Sequence, residues 1–289
     1  MTKRRSLNPI PAALWLSLAA LAALPACAAQ PTTLPATGLS PATAAAPTPA
    51  DAAKVLAALE RAGQDYHTLR ADLEMIALLP ALGDREHRTG WVAYRRGSAD
   101  QSPKIRVHFE TLRLGDGPNT RQREDYTFDG RWAVEAKHSV KQLTRWQVAA
   151  EGEHAQALSI GKGAFPPLPF GQKAAEVLEY YDAALAPPAD SDPPDTDHLA
   201  LTAHRDRQKE LDFVHLDLWV SRTTHLPVKV VGTDKDKNTK TVSLTNVQTN
   251  AKLPDDTFEL KAGFGWTVNT NPLPPGDQPR PLQGPAKGT

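Results

Sequence analysis

From residue 69 to residue 75, apolar and charged side chains alternate. Leu69, Ala71, Leu73 and Met75 point one way, and Arg70, Asp72 and Glu74 the other. A period of two predicts a strand with one buried face. The stretch PKIRVHFE repeats the pattern, with Ile105, Val107 and Phe109 opposed to Lys104, Arg106, His108 and Glu110. Further strands are expected over 89–95, 124–128, 132–137 and 140–148, with Asp129-Gly130 as a tight hairpin turn. After them come 199–204, 211–220, 227–232 and 240–247. Two stretches switch to a period of 3.6. The first is a helix from residue 50, with Thr48 as its cap, Pro49 in its first turn, Asp51 at the capping-box position and Gly63 at its end. Val55, Leu56, Leu59 and Ala62 form its apolar face. The second helix is expected over 172–185, with Val177, Leu178, Tyr181 and Leu185 as its stripe. Helix, strands, helix, strands predicts an α+β fold, a curved antiparallel sheet forming an incomplete β-barrel whose apolar concave face the helices cover.

The flanks read differently. Lys3, Arg4 and Arg5 precede a short uncharged apolar run over 11–24, the pattern of a secretory signal. That run is shorter than the roughly 18 apolar residues of a spanning helix. Two cleavage readings stand side by side. Leu24-Pro25-Ala26-Cys27 resembles the lipobox of bacterial lipoproteins, which would make Cys27 a lipid anchor; Ala26-Cys27-Ala28 also satisfies the small-x-small rule of plain secretion. Cys27 is the chain's single cysteine. Exported proteins that use disulfides carry cysteines in pairs, which favours the anchor. The expected division is a signal peptide over 1–27, an uncharged Ala/Pro/Thr-rich linker over 28–49, one globular domain over 50–267 and a Pro-rich disordered tail over 268–289. LPATG at 34–38 looks like a sortase signal but stands at the wrong end of the chain. The expected location is the periplasmic side of the cell envelope. Ala28 rather than an acidic residue after Cys27 favours the outer membrane, by analogy with Gram-negative sorting.

Charge narrows the partners. The chain has 33 basic and 33 acidic residues, and losing Lys3, Arg4 and Arg5 leaves it slightly acidic. Without a basic tract to follow a phosphate backbone, nucleic acid is not expected as a partner. Nine histidines show no ligand spacing, so no metal is expected, and His108 and His138 read as exposed strand residues. Asp234, Asp236 and Asn238 open like a calcium loop, but Thr239 and Thr245 stand where it needs glycine and glutamate, so a charged hairpin turn explains them. GKGAF at 161–165 lacks a phosphate loop's upstream glycine. No G-x-S-x-G stands around a serine, and neither an enzyme nor a cofactor is expected. Trp91, Trp132, Trp146 and Trp219 fall on four expected strands, where they pack a core or line a cavity for an apolar ligand.

The segment 225–260, HLPVKVVGTDKDKNTKTVSLTNVQTNAKLPDDTFEL, resembles the C-terminal part of the LolA/LolB-like family of periplasmic lipoprotein carriers. The match is in Leu226-Pro227, the charged hairpin, the strand ending at Asn246, and Leu253 to Phe258. Upstream, Gly90, residues 103–109 and Phe128-Asp129-Gly130 resemble the family's first half. The resemblance implies a half-barrel over helices with an apolar cavity for acyl chains. A chain of about 16 carbons, at about 0.8 kcal/mol per methylene, costs on the order of 12 kcal/mol to leave in water. On this basis Leu73, Met75, Ile105, Val107 and Phe109 are expected to line the cavity, with Val177 and Tyr181 on a covering helix, and Arg106 to latch a lid. Two departures stand out: KAGFGWTV replaces the family's proline-glycine segment, and FPPLPFG at 165–171 is an insertion. The expected function is binding of acyl chains or lipoproteins, in outer-membrane lipoprotein sorting; the alternative is a non-enzymatic sensory or scaffolding module on the same fold.

Overall fold

A computed structural model of the chain describes residues 49–98, 101–150 and 172–273. Two antiparallel meanders are joined edge to edge. The first contains β1 (Thr68–Leu79), β2 (Asp84–Arg95), β3 (Lys104–Leu114), β4 (Thr120–Phe128), β5 (Trp132–Lys137) and β6 (Gln142–Gln147). The second contains β7 (Tyr181–Leu185), β8 (Thr196–Ala203), β9 (His215–Ser221), β10 (Pro227–Thr233) and β11 (Thr239–Thr249). β11 pairs with β1, so the seam lies inside one sheet. β12 (Thr267–Asn271) adds to the outside of β6 in parallel. β7 and β12 end the twelve-stranded order without meeting, and the curved sheet is an incomplete barrel, as the alternation predicts.

Period-two burial turns one face of each meander inward, and the inward side chains form two clusters. In the first, Leu69, Leu73 and Met75 of β1 meet Val92 and Tyr94 of β2, Ile105, Val107 and Phe109 of β3, Tyr126 and Phe128 of β4, and Val242 and Leu244 of β11. The second packs Leu199, Leu201, Leu216, Leu218 and Val230 of β8–β10 beneath Ala52, Leu56 and Leu59 of α1 (Pro49–Asp65). α2 (Ala174–Tyr180) adds Val177 there, and its Ala174 N–H donates to the Glu60 carboxylate of α1 at 3.0 Å.

Three expectations are corrected. α1 does not stop at Gly63. That glycine is buried within the helix, which runs on to Asp65 and delivers Tyr66 to the first cluster. The second helix ends at Tyr180, because from Tyr181 the backbone pairs with β8, Tyr181 opposite Ala203 and Leu185 opposite Leu199. Tyr181 therefore sits on a strand, and Leu178 of the expected stripe is exposed. Ordered structure also passes residue 267: β12 alternates in neither polarity nor burial, so period gave no sign of it. Thr48, Cys27 and the insertion 165–171 lie outside the described residues.

Two glycines are dictated by geometry. Gly130 has φ +94° in the β4–β5 turn, where Asp129 Oδ1 accepts from the N–H groups of Arg131 and Trp132. Gly90 sits at the β2–β3 register shift, and a Cβ there would lie 1.8 Å from the His108 carbonyl oxygen.

Candidate functional site

The inner face of β11 and β1–β4 has a sharp polar border. Arg88 Nη1 donates to Glu124 Oε2 at 2.9 Å, and the Tyr126 hydroxyl donates to the same oxygen at 2.9 Å. Burial, then the Glu124 charge beside it, pushes the Tyr126 phenol far above its ordinary range. Glu135 and Thr144, opposite one another on β5 and β6, are also buried. The inner face is thus apolar over β11 and β1–β3 and turns polar across β4–β6.

The structure brings Leu73, Met75, Ile105, Val107 and Phe109 together in the first cluster. Val177 and Tyr181 join the second cluster instead. Tyr181 is fixed there by its hydroxyl, which donates to the Phe213 carbonyl at 2.9 Å. α1 packs mainly on β7 and α2, so among the described residues most of the helical cover lies over the second cluster, and only Ala62 near its end reaches the first. Arg106 lies on the opposite face of β3 from Ile105 and Val107. Its Nη1 donates to the Thr257 carbonyl at 3.0 Å, and its Nε and Nη2 donate to Asp125 Oδ1 at 3.0 and 2.8 Å. These bonds join β3 to β4 and to the 3-10 turn Asp255–Phe258, not to either helix.

Around Arg106 the outer face holds a cluster that no sequence motif signals. His108, opposite Asp125 across the β3–β4 ladder, approaches Asp125 Oδ1 through Nδ1 at 2.9 Å and Glu110 Oε2 through Nε2 at 3.0 Å. His138, in the β5–β6 turn, approaches Asp125 Oδ2 through Nε2 at 2.8 Å. Neither histidine is the exposed strand residue that the sequence suggests, since register turns both toward Asp125. The Asp125 side chain is 2% exposed. Burial alone would raise its pKa; the bonds from His108 and Arg106 outweigh burial and hold it at about 2. The same bond from Asp125 raises His108 above its ordinary 6.5, against the opposing effect of burial. Trp91 stacks on His108 at 5.3 Å, with the guanidinium groups of Arg70 and Arg106 4.5 and 5.3 Å from its ring centre. Trp266 meets His138 edge-on at 5.1 Å.

The outer face also has a shallow cleft of about 360 Å³ at the β1–β11 bulge, lined by Arg70, Ala71, Asp72, Asn246, Val247 and Gln248. Its lining is mostly polar and suits no acyl chain. Among the described residues, no group of three or more His, Cys, Asp or Glu side chains is arranged to hold a metal ion.

No family model matches the chain, and no characterised protein matches it by sequence. Solved structures do resemble it. A putative outer membrane lipoprotein-sorting protein domain from Vibrio parahaemolyticus shares 10% identity at a TM-score of 0.38, over 73% of this chain and 97% of its own. A LolA superfamily protein from Nitrosomonas europaea shares 13% at 0.34, over 72% and 97%. LprF from Mycobacterium bovis shares 12% at 0.39, over 75% and 100%.

Proposed function

We propose that this chain is a binding protein of the cell envelope, without chemistry of its own, that takes acyl chains or lipoproteins on the inner face of β11 and β1–β4. One observation carries the reading. The sheet has two apolar inner clusters; α1 lies along the second and reaches the first only at its last turn, through Ala62 and the following Tyr66. The first cluster's side chains are at most 9% exposed, so a hydrocarbon tail enters this apolar layer only by displacing what packs on it, and the polar border at Arg88, Glu124 and Glu135 suits the ligand's polar end. Leu73, Met75, Ile105, Val107 and Phe109 line this site. Val177 and Tyr181 hold the neighbouring half rigid. Cys27 is the lipid anchor, the uncharged stretch 28–49 the tether, and the outer membrane the place of attachment.

A photoreactive fatty acid tests this directly. After irradiation, adducts should map to peptides holding residues 69–75, 92–94 and 105–109, and lipid extracts of the purified protein should contain acyl species. Folded protein with no bound lipid, or adducts confined to the second cluster, refutes the reading.

The scaffolding alternative has its own support. β12 is an edge strand without charge or proline, exposed at every residue, with Val268, Trp146 and Phe264 exposed around it. A partner that adds a strand there should be lost on Val268→Pro while lipid content is unchanged.

A further inference from the structure

Two carboxylates are buried on the inner face beside the apolar layer, and they are not equivalent. Glu124 is closed. Its Oε2 accepts from Arg88 and from the Tyr126 hydroxyl, each at 2.9 Å, and its Oε1 accepts from Gln122 Nε2 at 3.1 Å. Glu135 is open. Its side chain is 10% exposed, yet its buried Oε1 accepts no hydrogen bond among the described residues. Lys137 Nζ lies 3.3 Å from that oxygen without hydrogen-bond geometry, and the lysine side chain is 36% exposed. Across the ladders Glu135 stands between Tyr126, whose hydroxyl donates to Glu124, and Thr144, whose hydroxyl oxygen accepts from Gln142. A carboxylate oxygen left bare in such a place keeps its full desolvation cost until a donor reaches it.

We propose that Glu135 is the recognition point for the ligand's polar end, and that the end it selects is an N–H donor: an acyl chain joined to its head through an amide. The inference rests on the acyl-binding reading above and names the head that goes with the tail. The spacing suits one molecule. Val107, Tyr126 and Glu135 form one row across β3, β4 and β5, so a head at Glu135 is two strand spacings, about 10 Å, from the apolar layer. It enters by the same displacement that admits the tail.

Charge selects among heads. Glu135 and Lys137 together are neutral. An ionised fatty acid would bring a second carboxylate against Glu135 with no proton to share, and an ammonium head would meet Lys137. An amide adds no charge. Its N–H gives Oε1 a charge-assisted bond, and its carbonyl accepts from Lys137, whose exposed end is free to turn.

The N-methyl amide and the methyl ester of one fatty acid with a photoreactive tail test this on the folded full chain. They share a tail and a carbonyl and differ in the N–H. The amide should label peptides holding residues 105–109 at about tenfold lower concentration than the ester. In Glu135→Met the two should label alike. Equal labelling by amide and ester in the wild type overturns the assignment of the head while the acyl reading stands. Labelling by neither overturns both. A preference that survives unchanged in Glu135→Met shows that another group reads the head, and overturns the role of Glu135. Should Glu135→Met not fold, Glu135→Gln decides, since it keeps an acceptor but loses the charge: a preference reduced severalfold supports the proposal, and an undiminished one overturns it.

Discussion

The outer face carries two tryptophan–histidine stacks, and they are built for different work. On the first meander Trp91 stacks on His108 beside Asp125, with Arg70 and Arg106 over the indole. On the second, Trp219 stacks on His198 at 4.2 Å, Lys229 Nζ stands 4.3 Å over the indole, and Asp217 Oδ1 lies 2.9 Å from His198 Nε2. The ingredients match, but the carboxylates do not. Asp125 is sealed from water and joins β3, β4, the β5–β6 turn and, through Arg106, the 3-10 turn Asp255–Phe258. Asp217 is 24% exposed, and the second stack has another acid, Asp192, which accepts the Trp219 Nε1–H at 2.7 Å. One carboxylate gathers segments distant in sequence; two partly wet ones trim a local hairpin. Burial and connectivity, more than residue type, decide what such a stack can do.

The most damaging way to break the first stack leaves its side chains alone. Gly90 lies at the register shift that sets Trp91 opposite His108, and backbone atoms fill the space a Cβ would need. Gly90→Ala should cost about 4 kcal/mol or prevent folding, since the crowding atoms belong to β3 and cannot rotate away. Denaturant midpoints give the number; a loss below about 1 kcal/mol would mean that the ladder shifts freely. The second stack contains no corresponding glycine.

Asp125→Asn comes next. It leaves Arg106 and His108 facing a neutral amide, and breaking a buried pair costs about 3 kcal/mol. The pH dependence of the wild type probes the same site at lower amplitude. With its pKa held at about 2 against an ordinary 3.8, Asp125 contributes about 2 kcal/mol that is present above pH 3.8 and lost toward pH 2. His108, shifted the opposite way, contributes below pH 6.5 and loses its share as pH rises through its folded value. Stability should peak between these limits, and Asp125→Asn should flatten both flanks. Flanks that persist in the variant would assign them to other groups.

Alternation made the sheet legible in the sequence. The inward side chains of β1 and β3 are those a period of two selects, and Asp129-Gly130 marks its turn. The C-terminal resemblance depends on the same physics, a strand, a charged hairpin and a 3-10 turn. What stayed hidden depends on register. Nothing local in VHF or EDY says that His108 will stand opposite Asp125, or that His138, 13 residues beyond that carboxylate, will return to it. Tyr181 falls on a strand and not on the expected helix because one run of apolar spacing serves both the last turn of α2 and the first residues of β7. The same limit separates Val177 from Val107, which the expected cavity joins. Periodicity assigns a face to each element but does not say which of two clusters that face will join.

The smallest effect is expected at the second stack, and it tests the comparison most sharply. Asp217→Asn keeps the shape of the side chain and an acceptor for His198, in a place water already reaches. Partly exposed pairs of this kind contribute under about 1 kcal/mol, because solvent screens the attraction and replaces the lost contact. His198 also retains Asp192, whose Oδ1 lies 3.7 Å from its Nδ1. Urea unfolding of Asp125→Asn and Asp217→Asn, measured side by side at pH 6, should therefore differ by more than the cost of Asp217→Asn itself. Equal losses would show that the two stacks are energetically alike despite their different burial. A tryptophan, a histidine and a carboxylate in contact would then be enough, and the connection to the 3-10 turn would add nothing.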